Sequence, residues 1–270
     1  MHNGKCILPG ILSANFALGD AKEAKGTAEP AVYQERKMSM ELIADSISKK
    51  LQKRQVLDHI SLKLTGGRIY GFTGPNGSGK TMLFRALSGL ISIDEGTITL
   101  DGNVLRRDFS VLPSLGILLE NVGLYPNLTG FQNLEYLAGM KKQIGKEEIR
   151  KTLIRVGLEP DDKRTYKKYS LGMKQRLAIA QAVMETPDVI MLDEPTNALD
   201  RDGVELIRRL ILEEKKRGAL ILLASHNEED IRLLADRIYQ MKEGRVLCSP
   251  MAAQYTRSEP ESGSDPGSNR

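Results

Sequence analysis

Cysteine is almost missing from this chain: Cys6 and Cys248 are the only two in 270 residues. Two unpatterned cysteines exclude a disulfide framework and a zinc site, and they point to a reducing, cytoplasmic setting. Long apolar runs are missing too. The longest stretches, such as Ala219 to Ala224, fall far short of the roughly 18 residues that a membrane span needs. The chain is therefore not itself a channel or a membrane-embedded carrier. Charge of one sign is also lacking, because 39 basic and 35 acidic residues are interspersed to a net +4. No nucleic-acid-binding stripe is implied. No export signal is visible, since Pro9, Gly10, Ser13 and Asn15 interrupt the weakly apolar segment from Ile7 to Leu18. Aromatics are scarce at 5%, and none lies between Tyr33 and Tyr70.

What is present is a phosphate cradle. Gly74-Pro75-Asn76-Gly77-Ser78-Gly79-Lys80-Thr81 fits the pattern Gly-x-x-x-x-Gly-Lys-Ser/Thr. The apolar run Ile69 to Thr73 precedes it and reads as a short buried strand, while Met82 to Leu87 carries helical spacing. Strand, glycine loop and helix N-terminus in that order are the context the motif requires. The glycines permit positive φ and leave no side chain between backbone N–H groups and phosphate oxygens. Lys80 supplies a point charge to the β and γ oxygens, and the Thr81 hydroxyl is placed to ligate Mg2+. The helix adds about half a positive charge at its N-terminus. The bound cofactor expected is ATP.

Strands and helices alternate along the middle of the chain. Glu41 to Ser48 and Val56 to Leu64 read as strands, followed by the Thr65-Gly66-Gly67 turn. Thr97 to Leu100 is a further short strand. Phe131 to Lys142, Lys146 to Val156 and Leu171 to Met184 turn helical, and Val189 to Leu192 and Leu220 to Leu223 return as continuous apolar runs. Such runs suit the centre of a sheet covered on both faces. A mostly helical block is thus inserted into an α/β nucleotide fold.

The run Asp188 to Pro195 sets two carboxylates, Asp193 and Glu194, at the end of a buried strand. Asp193 could hold Mg2+ through water, and Glu194 could take a proton from the water attacking the γ-phosphate.

Together these blocks resemble an ATP-binding-cassette (ABC) ATPase over about Glu41 to Ser249. The cradle corresponds to Walker A and the strand ending in Asp193-Glu194 to Walker B. Tyr169-Ser170-Leu171-Gly172-Met173-Lys174-Gln175-Arg176 is similar to the family signature. Asn197-Ala198-Leu199-Asp200 resembles the D-loop, and His226 the switch histidine. The resemblance implies a P-loop NTPase core of ABC type, with an antiparallel β edge and an inserted helical subdomain over about 121–186, in a domain spanning 41–249. It also implies a dimer. Ser170 and Gly172 of one subunit would face the γ-phosphate held by the other, Asp200 would reach across the seam, and His226 would orient water or the γ-phosphate. The inserted helices would receive a separate transmembrane permease subunit. The resemblance further implies that the two cassettes would form a homodimer, or a heterodimer with another ABC ATPase, at the cytoplasmic face of the membrane, without nucleic acid.

Three departures from the family pattern stand out. Glu120 occupies the place of a glutamine on Mg2+ and the attacking water. That acidic variant, with the run from Glu120 to Gly130, resembles the ATPases of bacitracin-type and lantibiotic self-protection exporters. The signature has Leu171 where glycine is commoner and Met173 where glutamine is. The aromatic that stacks on adenine would fall near Leu51, so base discrimination is expected to be weak. An importer ATPase, or a soluble ABC ATPase acting on ribosomes or DNA, shares this chemistry. Many importers of the family add a C-terminal regulatory domain, ribosome-acting members usually carry twin cassettes, and those acting on chromosomes insert long coiled coils. Outside the cassette, residues 1–40 read as a poorly ordered extension and 250–270 as a disordered polar tail. Met38 and Met40 stand where a start would usually fall. Ile7 to Phe16 looks like the first strand of a ribulose-phosphate epimerase barrel, but nothing after it continues a barrel.

Overall fold

In the computed structural model of the chain, residues 39–119 and 123–248 are described. The expectations for the leading extension, the polar tail and Glu120 concern residues outside these, apart from Ser39 and Met40. Met40 is buried, and its carbonyl accepts a hydrogen bond from Gly66 N.

Two sheets carry the fold. In the first, β1 (Glu41–Leu51) pairs antiparallel with β2 (Arg54–Thr65) and with β4 (Glu95–Leu100). The short β5 (Asn103–Val104) closes the edge, giving the order β2-β1-β4-β5. Apolar and polar residues alternate along β2, so one face of this sheet is buried and the other wet.

The second sheet has the order β10-β9-β3-β8-β7-β6. Its members are β3 (Ile69–Thr73), β6 (Leu115–Leu118), β7 (Val189–Asp193), β8 (Leu220–Ala224), β9 (Arg237–Lys242) and β10 (Arg245–Cys248). All its pairs are parallel except β9 with β10. The continuous apolar runs have a two-sided explanation. Val189 and Met191 of β7, with Leu220 and Leu222 of β8, join a core that includes Phe72 and Phe84. The alternate residues Ile190, Leu192, Ile221 and Leu223 join a second core under the helical block. The period-two alternation of strand side chains feeds both layers, so no position is left for a polar residue.

Helix α1 (Lys80–Ser88) follows β3. Between β6 and β7 lie α2 (Gly130–Lys141), α3 (Lys146–Arg155), a 3-10 turn (Tyr166–Lys168) and α4 (Leu171–Val183). Helices α5 (Arg201–Lys216) and α6 (Glu228–Leu234) follow β7 and β8. The starts are set by side chains: Thr129 and Gln132 form a capping box at α2, and Ser170, Asp200 and Asn227 accept first-turn N–H groups at α4, α5 and α6.

This topology determines where chemistry can occur. β8 sits between β3 and β7, with Ala224 in register with both Phe72 and Asp193. The chain segments leaving the C-terminal ends of these three strands therefore share one edge. They begin at Gly74, Glu194 and Ser225. Crevices beyond the carboxyl ends of parallel strands are where such sheets bind ligands.

Candidate functional site

The loop from Gly74 to Gly79 wraps the start of α1. Its glycines are required for two distinct reasons. Gly74 has φ 142, and a Cβ there would lie 2.2 Å from the Met241 carbonyl oxygen. Gly77 has open space around it, so its need is the positive φ of 76 alone. Gly79 ends the loop at the N-cap of α1, where it offers no capping side chain and no acidic residue follows in the first turn. The first-turn N–H groups are thereby left for an anion. Lys80 folds back over the loop, and its Nζ donates to the carbonyls of Gly74 (2.7 Å) and Pro75 (3.3 Å).

Behind the cradle, the Thr81 hydroxyl donates to Asp193 Oδ2 at 2.5 Å. Two hard oxygen ligands converge there at the end of β7. This donor set suits Mg2+, which binds through one or two carboxylates and completes its shell with phosphate and water. Among the described residues, no group of three or more His, Cys, Asp or Glu could hold a metal by itself.

Glu194 has left β7 in a left-handed conformation, φ 53. Its N–H donates to the Ala224 carbonyl at 2.8 Å. The carboxylate accepts the backbone N–H of His226 at 3.0 Å, stands 2.8 Å from His226 Nδ1, and receives the Ser225 hydroxyl at 3.4 Å. The expected base and the expected switch histidine are in direct contact. Ser225, buried at the end of β8 and absent from the sequence expectation, completes the group.

Cradle, Thr81, Asp193 and Glu194 line one cleft of about 380 Å³. Arg54, Gln55 and Val56 of β2, with Glu243 and Gly244 of the β9–β10 turn, also line it. Among the described residues no aromatic lines it, and Leu51, 43% exposed, is not one of its lining residues. The residues from β2 and the turn were missed because they are remote in sequence from the motif. The positive-φ pair Glu243-Gly244 in a short hairpin was the one local signal.

Ser170, Gly172 and Asp200 do not line that cleft. They form a second, exposed surface instead. Ser170 caps α4, with its hydroxyl accepting from Met173 N at 3.2 Å, and Leu171 beside it is 71% exposed. Gly172 packs so closely on the loop after β7 that a Cβ would lie 3.0 Å from the Ala198 carbonyl oxygen. Asp200 caps α5, and its Oδ1 accepts from Gly203 N (3.0 Å) and from the Arg176 guanidinium (2.9 Å). One chain thus carries a cleft lined by the cradle and a separate helix N-terminus whose Ser170 and Gly172 do not line that cleft.

A model of the ABC transporter family matches residues 57–197. YybJ of Bacillus subtilis (strain 168), an uncharacterized ABC transporter ATP-binding protein, is 49% identical over 204 residues, which is 76% of this chain and 94% of that one. The bacitracin transport ATP-binding protein BcrA of Enterococcus faecalis is 36% identical over 214 residues, 78% of this chain and 70% of BcrA. The lantibiotic transport ATP-binding protein SrtF of Streptococcus pyogenes is 35% identical over 215 residues, 79% of this chain and 91% of SrtF. Among solved structures, the dimeric bacterial ABC transporter cassette MJ0796 superimposes with a TM-score of 0.69 at 25% identity, covering 76% of this chain and 96% of that one.

Proposed function

The chain belongs to the ABC transporter family, whose cassettes bind and hydrolyse ATP, and on that footing we propose that it powers export by a separate membrane subunit. The cargo is a peptide antibiotic or a similar amphiphile. The similarity to BcrA and SrtF supports that cargo class. The observation that carries the mechanism is the division of the site. The cleft gathers the groups for one side of a triphosphate, while Ser170 and Gly172 do not line it.

In the proposed cycle two cassettes meet head to tail. The cradle N–H groups and Lys80 bind the β- and γ-phosphates, and Thr81 with Asp193 holds Mg2+, which supplies charge stabilisation at the transferred group when bound. The partner's α4 N-terminus covers the γ-phosphate from the opposite side. Glu194 accepts a proton from the attacking water, and His226 orients the carboxylate. Loss of the γ-phosphate removes the charge that the facing helix end was binding, so the halves separate. Asp200 lies at the same seam.

The membrane partner docks on the helical block. Tyr125 and Tyr136 stand edge to face at 4.9 Å and are both about half exposed. With Pro126 and Leu128 they wall an apolar cleft. An exposed aromatic cleft suits an amphipathic helix of a partner protein. No described helix is long and apolar enough to cross a membrane, and the proposed position is peripheral, at the cytoplasmic face. The test is co-purification from membranes together with an ATPase assay. Mg2+-dependent ATP hydrolysis and a hydrophobic partner are expected. Recovery with ribosomal RNA and no membrane protein would overturn the transport role.

A further inference from the structure

Helix α4 begins at the exposed surface with Ser170 and, about a turn and a half further on, places Gln175 against the loop that carries the catalytic base. The Gln175 side-chain amide donates to the backbone carbonyls of Glu194 (3.0 Å) and Pro195 (3.1 Å). Its neighbour Arg176 reaches the other end of the same loop, pairing with Asp200 at 2.9 Å. The loop between them is strained: Glu194 (φ 53) and Ala198 (φ 63) are non-glycine residues in the left-handed region. Such conformations persist only where surrounding bonds over-determine them, and they gather at functional sites.

We propose that Gln175 is a positioning residue for the hydrolysis. By clamping two successive carbonyls it fixes the Glu194 peptide in its left-handed state, and with it the direction of the carboxylate. The same clamp ties the base to the helix whose N-terminus, on the dimeric reading above, meets the γ-phosphate in the partner's cleft. A cassette therefore aligns its own base when its α4 engages the other nucleotide. Rotation of the Glu194 peptide is the movable element, and α4 is the rigid lever that biases it.

The experiment uses the full chain and two substitutions. Gln175→Met keeps the side-chain bulk and removes both donors, whereas Gln175→Glu sets a carboxylate against two carbonyl oxygens. The expected result is a fall of about tenfold in kcat for Gln175→Met, a larger fall for Gln175→Glu, and KM for ATP within about twofold in both. In a Glu194→Gln background, Gln175→Met should leave the residual single-turnover rate unchanged, because its effect passes through the base. An unaltered kcat in both single variants overturns the proposal. So does a further loss in the Glu194→Gln background equal to that in the wild type, since Gln175 would then act elsewhere. The link to α4 is read from Ser170→Ala. Combined with Gln175→Met, it should lower kcat by less than the product of the two separate factors, and full multiplication would sever that link. If the wild type hydrolyses ATP only as a monomer, the dimeric reading fails, while the kcat ratio still decides whether Gln175 positions Glu194.

Discussion

The two halves of the proposed phosphate-binding shell differ in how they are built. The cradle is enclosed: its glycines are forced by close backbone approach or positive φ, and its lysine and threonine already have partners inside the cleft. The α4 surface is open. Ser170 is satisfied only within its own helix, Leu171 stands in solvent, and the Asp200 carboxylate is 73% exposed although it caps a helix. A half-site that is complete can be assembled by one chain, and a half-site that is open requires another molecule to close it. Damage to the first should therefore abolish chemistry or folding, whereas damage to the second should weaken association.

The largest contrast comes from the base. Glu194→Gln should lower kcat by about a thousandfold, within the range of positioned proton transfer, while ATP affinity measured by equilibrium binding stays within about twofold. A smaller but still large effect is expected at Gly74. Adding a methyl group at φ 142 against the Met241 carbonyl should cost about 3 kcal/mol of stability, measured by denaturant unfolding. Gly77→Ala, with no neighbour to strike, should cost less than half as much. On the open side, Ser170→Ala should raise the concentration needed for nucleotide-dependent dimerisation by about tenfold and leave ATP binding by the separate chain unchanged. Equal losses of monomer binding for Ser170→Ala and for cradle variants would erase the distinction. The smallest effect concerns the part of the cleft lined by Arg54 and Glu243, where no aromatic stands among the described residues. ATP and GTP should bind within about tenfold of each other, because the stacking term is missing. A large preference measured by competition would refute this.

Much of this organisation was legible in the sequence because it is local. A strand, a glycine loop and a helix start follow one another without interruption at the cradle, and α2, α3 and α4 announce themselves by a helical pattern. Asp193 and Glu194 follow a run too apolar to be anything but central. The less legible parts depend on tertiary closure. β6 is only Leu115–Leu118 within a longer apolar stretch, so its bounds come from pairing with β7. β9 and β10 lie at one edge of the sheet and have mixed polarity, which blurs their period. Arg54 and Glu243 reach the cleft from a hairpin and a turn far apart in the chain. Gln175 stood in the signature-like run with no role of its own, and its contact with the Glu194 and Pro195 carbonyls appeared only when the loop after β7 was seen against it. The contact between His226 and Glu194 is of the same kind, arising from the adjacency of β7 and β8 rather than from spacing.

The central claim is that two chains share each triphosphate, and the molar mass of the Glu194→Gln chain in solution tests it most directly. With ATP and Mg2+ present, light scattering on the gel-filtration peak should give twice the chain mass. With ADP, or with Ser170→Ala added at the same concentration, it should give the mass of one chain. A single-chain mass with ATP, in a protein shown to be saturated with the nucleotide, would contradict the account.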